Sequence, residues 1–172
     1  MSNLQKAKLL CVEGGASPII FQFNPNELKF SRQSNLNPSE GARTEDGITK
    51  LSFANPAPCT LTISNIILDT YESQGNLTAN LEIFKESVRF AKSGEHAGER
   101  PPIYLFIWGG TESLRCFVQS LDYSLTMFLP DGTPVRAKVN LTLKEADDST
   151  PKGSVGTPAK VDRQGNKRPS KK

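Results

Sequence analysis

Few residues in this chain could do chemistry, and their spacing is poor for it. The single histidine, His96, sits in Ser93-Gly94-Glu95-His96-Ala97-Gly98-Glu99, a Gly-rich polar stretch that reads as a loop. A hydrolase built on it would need neighbours to hold the imidazole, and no Ser or Cys carries a nucleophile-elbow pattern. Cys11, Cys59 and Cys116 are odd in number and far apart, and none shares a CxxC spacing. Such thiols are expected as small, buried, reduced side chains rather than zinc ligands. Gly14-Gly15 and Gly109-Gly110 extend neither to GxGxxG nor to a phosphate-binding loop. The expectation is a protein with no catalytic residue, no metal, no cofactor and no small-molecule substrate.

Charge narrows the field further. The 172 residues carry 21 Lys+Arg against 18 Asp+Glu, a net of +3. From Ser149 to Lys172 there are seven bases and one acid, a net of +6, which leaves 14 bases and 17 acids, a net of −3, in residues 1–148. Basicity therefore belongs to the tail and not to the body. The body fits one domain. The tail holds Pro, Gly, Ser, Thr and base, with Val155 and Val161 its only large apolar residues. It is expected to be disordered when free, because it cannot bury enough surface to offset ordering entropy. No apolar run approaches the ~18 residues of a membrane helix, and Met1-Ser2-Asn3-Leu4-Gln5-Lys6 lacks the apolar core of a signal peptide. Synthesis in a cytoplasm, with no membrane insertion of its own, is expected.

The body must be positioned mostly by strands. Short apolar runs at 7–12 and 18–23 end at Glu13-Gly14-Gly15 and Asn24-Pro25-Asn26. Leu28, Phe30 and Arg32 share one parity. Residues 34–47 are polar and read as a loop or as the tip of a long hairpin, and strand character resumes at Ile48–Phe53. Cys59, Leu61 and Ile63 alternate with Thr60, Thr62 and Ser64 before the apolar Ile66-Ile67-Leu68. Leu77, Leu81, Phe84, Val88 and Ala91 recur at spacings of 4, 3, 4 and 3, one stripe of an amphipathic helix. Asn76 suits its N-cap and Gly94 its end, and Glu86 and Arg89 are placed to pair. Ile103–Trp108 is apolar on both faces, so it is central in a core or covered by a partner. Phe117, Leu121, Tyr123, Leu125 and Met127 share one parity. Past Pro130-Asp131-Gly132-Thr133, a strong turn, Val135 to Leu143 alternate with Arg136, Lys138, Asn140, Thr142 and Lys144. These last two runs form an antiparallel hairpin.

Four strings now stand in order: Phe23-Asn24-Pro25-Asn26-Glu27-Leu28, Leu68-Asp69-Thr70-Tyr71, Phe106-Ile107-Trp108-Gly109, and Phe128-Leu129-Pro130-Asp131-Gly132-Thr133-Pro134-Val135-Arg136-Ala137. Together they resemble the N-terminal domain of contractile injection system tube proteins, over about residues 5–147. The resemblance implies a mainly β fold, a tail-tube-like barrel or sandwich with one flanking helix. It implies a hexameric ring whose hairpins join into an inner barrel, placed between a trimeric spike or hub and the inner tube. Partners would be further copies of the chain, tube subunits, the spike and baseplate subunits, inside a phage-tail-like particle assembled in the cytoplasm. Residues after Asp148 lack the length and apolar content of the LysM module that many relatives carry.

On that resemblance and on packing, the expected assembly residues are Phe23, Asn24, Pro25, Leu68, Asp69, Tyr71, Trp108, Gly109, Pro130, Asp131, Gly132 and Arg136. The cationic row Arg136, Lys138 and Lys144 faces either a lumen, a neighbour's acids, or plain solvent. Long strands for a shared sheet are expected from 18–33 with 48–55, and from 115–128 with 134–145. Two readings stay beside the spike-proximal ring: a subunit of the tube body, and a nucleic-acid-binding protein acting through the basic tail.

Overall fold

The computed structural model describes residues 4–43, 49–73, 75–94, 97–109 and 112–146. His96 and the tail from Ser149 onward lie outside the described residues. The strands are β1 (Lys8–Glu13), β2 (Ile19–Ile20), β3 (Lys29–Ser31), β4 (Ser34–Arg43), β5 (Thr49–Pro56), β6 (Thr60–Asp69), β7 (Ile103–Trp108), β8 (Glu112–Phe128) and β9 (Pro134–Glu145), with one helix, α1 (Leu77–Ser87). Among the described residues, seven strands make one antiparallel sheet in the order β2-β1-β7-β8-β9-β6-β3, while β4 and β5 pair only with each other. Among the described residues the fold is thus mainly β with a single helix, as expected.

One face of the large sheet is dry. Leu9, Leu61, Ile63, Tyr104, Phe106, Cys116, Val139, Leu141 and Leu143 are fully buried there. Helix α1 lays Leu77, Leu81 and Phe84 on β6, β8 and β9. Phe21, just past β2, joins the pieces: its ring stands 6.4 Å from Phe84 of the helix and 6.5 Å from Phe106 of the sheet. The sheet bends enough to bring the chain after β2 against β6, where Gln22 bonds to Asp69.

Bulges explain where simple alternation fails. In β6 the register shifts between Ile63 and Ile66, with Asn65 at φ 57 and its N–H held by the Asn140 side chain at 2.8 Å. The extra residue turns Ile66 and Leu68 back to the face of Leu61 and Ile63. In β8 the shift lies between Val118 and Ser120. Phe117, opposite Lys144, therefore lies on the outer face, whereas Leu121, Tyr123 and Leu125 lie opposite Leu141, Val139 and Ala137 on the core face. The expected single stripe from Phe117 to Met127 is broken by this bulge.

Other expectations are also corrected. Residues 18–33 are not one strand, because Pro25, which has no N–H for a ladder, sits in a turn between β2 and β3. β3 pairs with β6, and β5 pairs with β4. Residues 34–43 are themselves a hairpin strand, β4, rather than a loop or a hairpin tip. The helix starts at the Asn76 cap, whose Oδ1 accepts from the Ala79 N–H at 3.1 Å. It ends at Val88 rather than near Gly94, and Ala91 is buried in the following segment. Arg89 pairs with Glu82 at 2.6 Å, and Glu86 takes Lys92 at 3.2 Å. Ile103–Trp108 is central, with Tyr104 and Phe106 in the core and Leu105, Ile107 and Trp108 half-buried. All three thiols are free; Cys59 and Cys116 are buried as expected but Cys11 is only half-buried, and burial pushes the Cys116 thiol up to about 12.

Two substitutions probe this packing. Phe21→Ala should cost about 3–5 kcal/mol, since it empties the contact between helix and sheet. Gly14→Ala should cost about 1–3 kcal/mol: Gly14 holds φ +101, and an added Cβ would lie 3.0 Å from Ala91 Cβ and from Pro102 Cα. Urea unfolding followed by tryptophan fluorescence reads both, and a loss under 1 kcal/mol for Phe21→Ala would refute the packing argument.

Candidate functional site

Three of the four strings meet at one end of the sheet. Asn24 ties down the start of β1, accepting from the Ala7 N–H at 2.9 Å and donating from Nδ2 to the Gln5 carbonyl at 2.8 Å. This fixes the neighbouring Gln22. Its side-chain amide donates to the Asp69 carbonyl at 2.7 Å and accepts from the Asp69 N–H at 2.8 Å. A glutamine amide carries the same donor and acceptor as a peptide group. Gln22 thus acts as one residue of a missing strand and closes the edge of β6.

Asp69 is the hub of this end. Its Oδ1 accepts from the Tyr71 N–H at 2.9 Å, and its Oδ2 accepts from Arg136 Nε at 2.8 Å. The Tyr71 N–H and then the Arg136 guanidinium hold the Asp69 carboxyl below its usual range. Thr70 locks the adjacent turn onto β9, donating its N–H to the Val135 carbonyl at 2.8 Å. Gln22, Phe23, Asp69, Tyr71 and Arg136 rim a shallow depression of about 320 Å³. Phe23 and Tyr71 stand half exposed beside it, at 49% and 51%, while Leu68 and Pro25 are buried beneath. Arg136 is therefore neutralised within its own chain and leaves the expected cationic row.

The remaining string residues play local roles. Trp108 is half-buried and packs on the core, and Gly109 follows at φ +67. At the β8–β9 turn Gly132 takes φ +87, and its N–H donates to the Leu129 carbonyl at 2.9 Å. Asp131 Oδ1 accepts from the Thr133 N–H at 2.9 Å, and bonding to Thr133 holds the Asp131 carboxyl below its usual range. Pro130 and Asp131 are exposed at the tip.

Sequence reasoning missed an open strand edge. β7 pairs with β8 only from Glu112 to Phe117, whereas β9 pairs with β8 from Cys116 to Phe128. Among the described residues, nothing pairs with the other edge of β8 beyond Phe117. Tyr123 and Leu125 sit on this stretch, 45% and 39% exposed although they face the core side, with Phe128 exposed near the tip. Lys85 of α1 lies over the Tyr123 ring at 5.3 Å. The signal was the unequal length of two apolar runs: six residues at 103–108 cannot cover a partner reaching to 128. Also missed was the set at the opposite end, where Glu13 pairs with both Arg100 and Arg115. Among the described residues, no three His, Cys, Asp or Glu side chains gather as metal ligands, and no helix is long and apolar enough to cross a membrane.

The Asp69 pairing has a pH signature. Its folded pKa lies below the unfolded value of about 3.9, so its stabilisation is present above that value and is lost as pH falls through the folded pKa. Asp69→Asn keeps an acceptor for Tyr71 and removes the charge. The stability gap between wild type and variant should be constant above about pH 5 and should close as the pH drops toward 2. A gap independent of pH would show that the charge contributes nothing.

Among the described residues, this surface combines a closed sheet end, an open strand edge and a hairpin outside the large sheet. No curated protein matches the chain. The family model described as the contractile injection system tube protein matches residues 4–153, most of the sequence. The chain belongs to the contractile injection system tube protein family, and is a structural tube component of a phage-tail-like particle.

Proposed function

We propose that copies of this chain close into a hexameric ring that joins the spike or hub of the baseplate to the inner tube and starts tube assembly. One observation carries the ring: among the described residues, the edge of β8 from Val118 to Phe128 is open and the β4–β5 hairpin is bonded to no other strand. An unpaired edge of that length is a template for another strand. Water can satisfy these amides in the isolated subunit, but a neighbour's strand satisfies them and adds apolar cover as well. The half-exposed Tyr123 and Leu125 add apolar surface to the same contact. The position beside the spike is supported by the resemblance of the four strings to relatives in that layer. No catalytic step is required of such a ring, and its partners are its own copies, tube subunits, the spike and baseplate subunits.

The edge is tested by Tyr123→Glu with Leu125→Lys. Inward charge on an open edge opposes strand addition, and the new carboxylate can pair with Lys85. Rings seen in negative-stain micrographs of the wild type should be absent from the double variant, while its melting temperature stays within about 5 °C. Rings that persist in the variant would remove β8 from the interface. Copy number in purified particles fixes the layer. One or a few rings per particle fit the spike-proximal position, and many would assign the chain to the tube body.

A further inference from the structure

The outer face of the large sheet has a composition that core packing does not explain. Across β3, β6, β9 and the second half of β8 it presents hydroxyls such as Thr62, Ser64, Thr142, Ser120 and Ser124. Its charges are unbalanced. Lys29 aligns with Thr62, Lys138 lies between Ile67 and Ser124, and Lys144 lies between Thr60 and Phe117. Against these three ammonium groups the same area sets Asp122, aligned with Asn140. Asp69 and Arg136 cancel one another at the margin, as Glu13 does with Arg100 and Arg115 at the other. Lys138 and Lys144 are six residues apart on one strand face, about 20 Å.

This face is the one a channel can use. The opposite face is occupied by the core and by α1. If sheets join edge to edge around an axis, the water-compatible face must line the passage. We infer that this hydroxyl and lysine face is the channel wall and that it favours passage of an acidic polypeptide. The inference rests on the ring reading above. Charge complementarity selects the sign of the occupant. The chemistry of the face selects polypeptide over nucleic acid. Among the described residues its rings are Phe117, half-buried at one margin, and Phe128, exposed near the hairpin tip at the other, so successive bases find no continuous stacking platform. Lysine is a flexible point charge without the planar fork of arginine. Exposed pairs of this kind are weak in water, so an acidic segment is drawn in without being held.

The test uses the full chain and a fluorescein-labelled polyglutamate peptide. Wild-type rings should bind it, with affinity falling as salt rises. Lys29→Glu, Lys138→Glu and Lys144→Glu together should weaken binding roughly tenfold or more while rings still form. The matching triple Gln variant should show a smaller loss in the same direction, and it serves if the Glu variant fails to fold. Both variants keep the seven bases of the tail, so a loss isolates the face. Binding equal to wild type in both variants, with rings intact, overturns the inference and leaves the ring reading standing. Single-stranded DNA that binds as tightly as polyglutamate and is lost in the same variants overturns the choice of polypeptide. A wild type that forms no ring overturns the ring reading, and the channel wall with it.

Discussion

A β-sheet that is dry on one face still has to satisfy the amides along its edges, and this molecule treats its edges in two opposite ways. At the end of β6 the edge is closed from within. The Gln22 side chain supplies one peptide group's worth of donor and acceptor to Asp69, and Asn24 fixes the segment that delivers it. Along the second half of β8 the described chain offers no partner. The contrast is physical, since water can satisfy an exposed amide but a neighbour's strand satisfies it with apolar cover as well. The first edge makes the subunit a closed body. The second leaves it able to take a further strand.

Much of this was legible in the sequence, and what was lost has a common cause. The mainly β class, the N-cap at Asn76, the turn at Asp131-Gly132 and the buried thiols follow from local rules that act within a few residues. The bulges do not. An extra residue at Asn65 and near Gln119 reverses parity, and alternation read straight through misplaces everything beyond. That is why Phe117 was grouped with Leu121. The helix was drawn too long for a related reason. Val88 and Ala91 continue the helical spacing and are at least partly buried, but Ala91 N–H donates to the Arg100 carbonyl at 2.9 Å, a loop contact and not a helical one. The site was half legible. The strings named Asp69 and Arg136, but their bond spans 67 positions and Gln22 lay one residue outside its string.

The strings also change meaning once they are placed. They are expected as assembly residues, and several of them also build the subunit. Asn24, Thr70 and Gly132 each satisfy a backbone group that a turn would otherwise strand. Pro25 and Leu68 are interior. Only Phe23, Tyr71 and the turn tip offer much surface to another molecule. Residues that shape the end of a sheet are demanded by geometry, because few side chains can cap an edge or take a positive φ. Surfaces that meet partners can vary with the partner.

Charge follows the same division. The net of +3 describes no single region of the chain. Within the body, the acids of the two sheet ends are spent on arginines: Asp69 on Arg136, and Glu13 on Arg100 and Arg115. Arginine suits that task, since its planar fork orients a carboxylate as well as neutralising it. What remains on the open face is lysine among hydroxyls, where nothing in the fold needs a fixed geometry. A wall of a passage should have this character. It must stay wet, it must bond weakly to whatever slides past, and it must not offer the apolar or forked contacts that would stop a chain in transit. On the proposed reading, the arginine pairs at the sheet ends and the lysines of the open face differ in chemistry for one reason: the first must hold a fixed geometry, and the second must not.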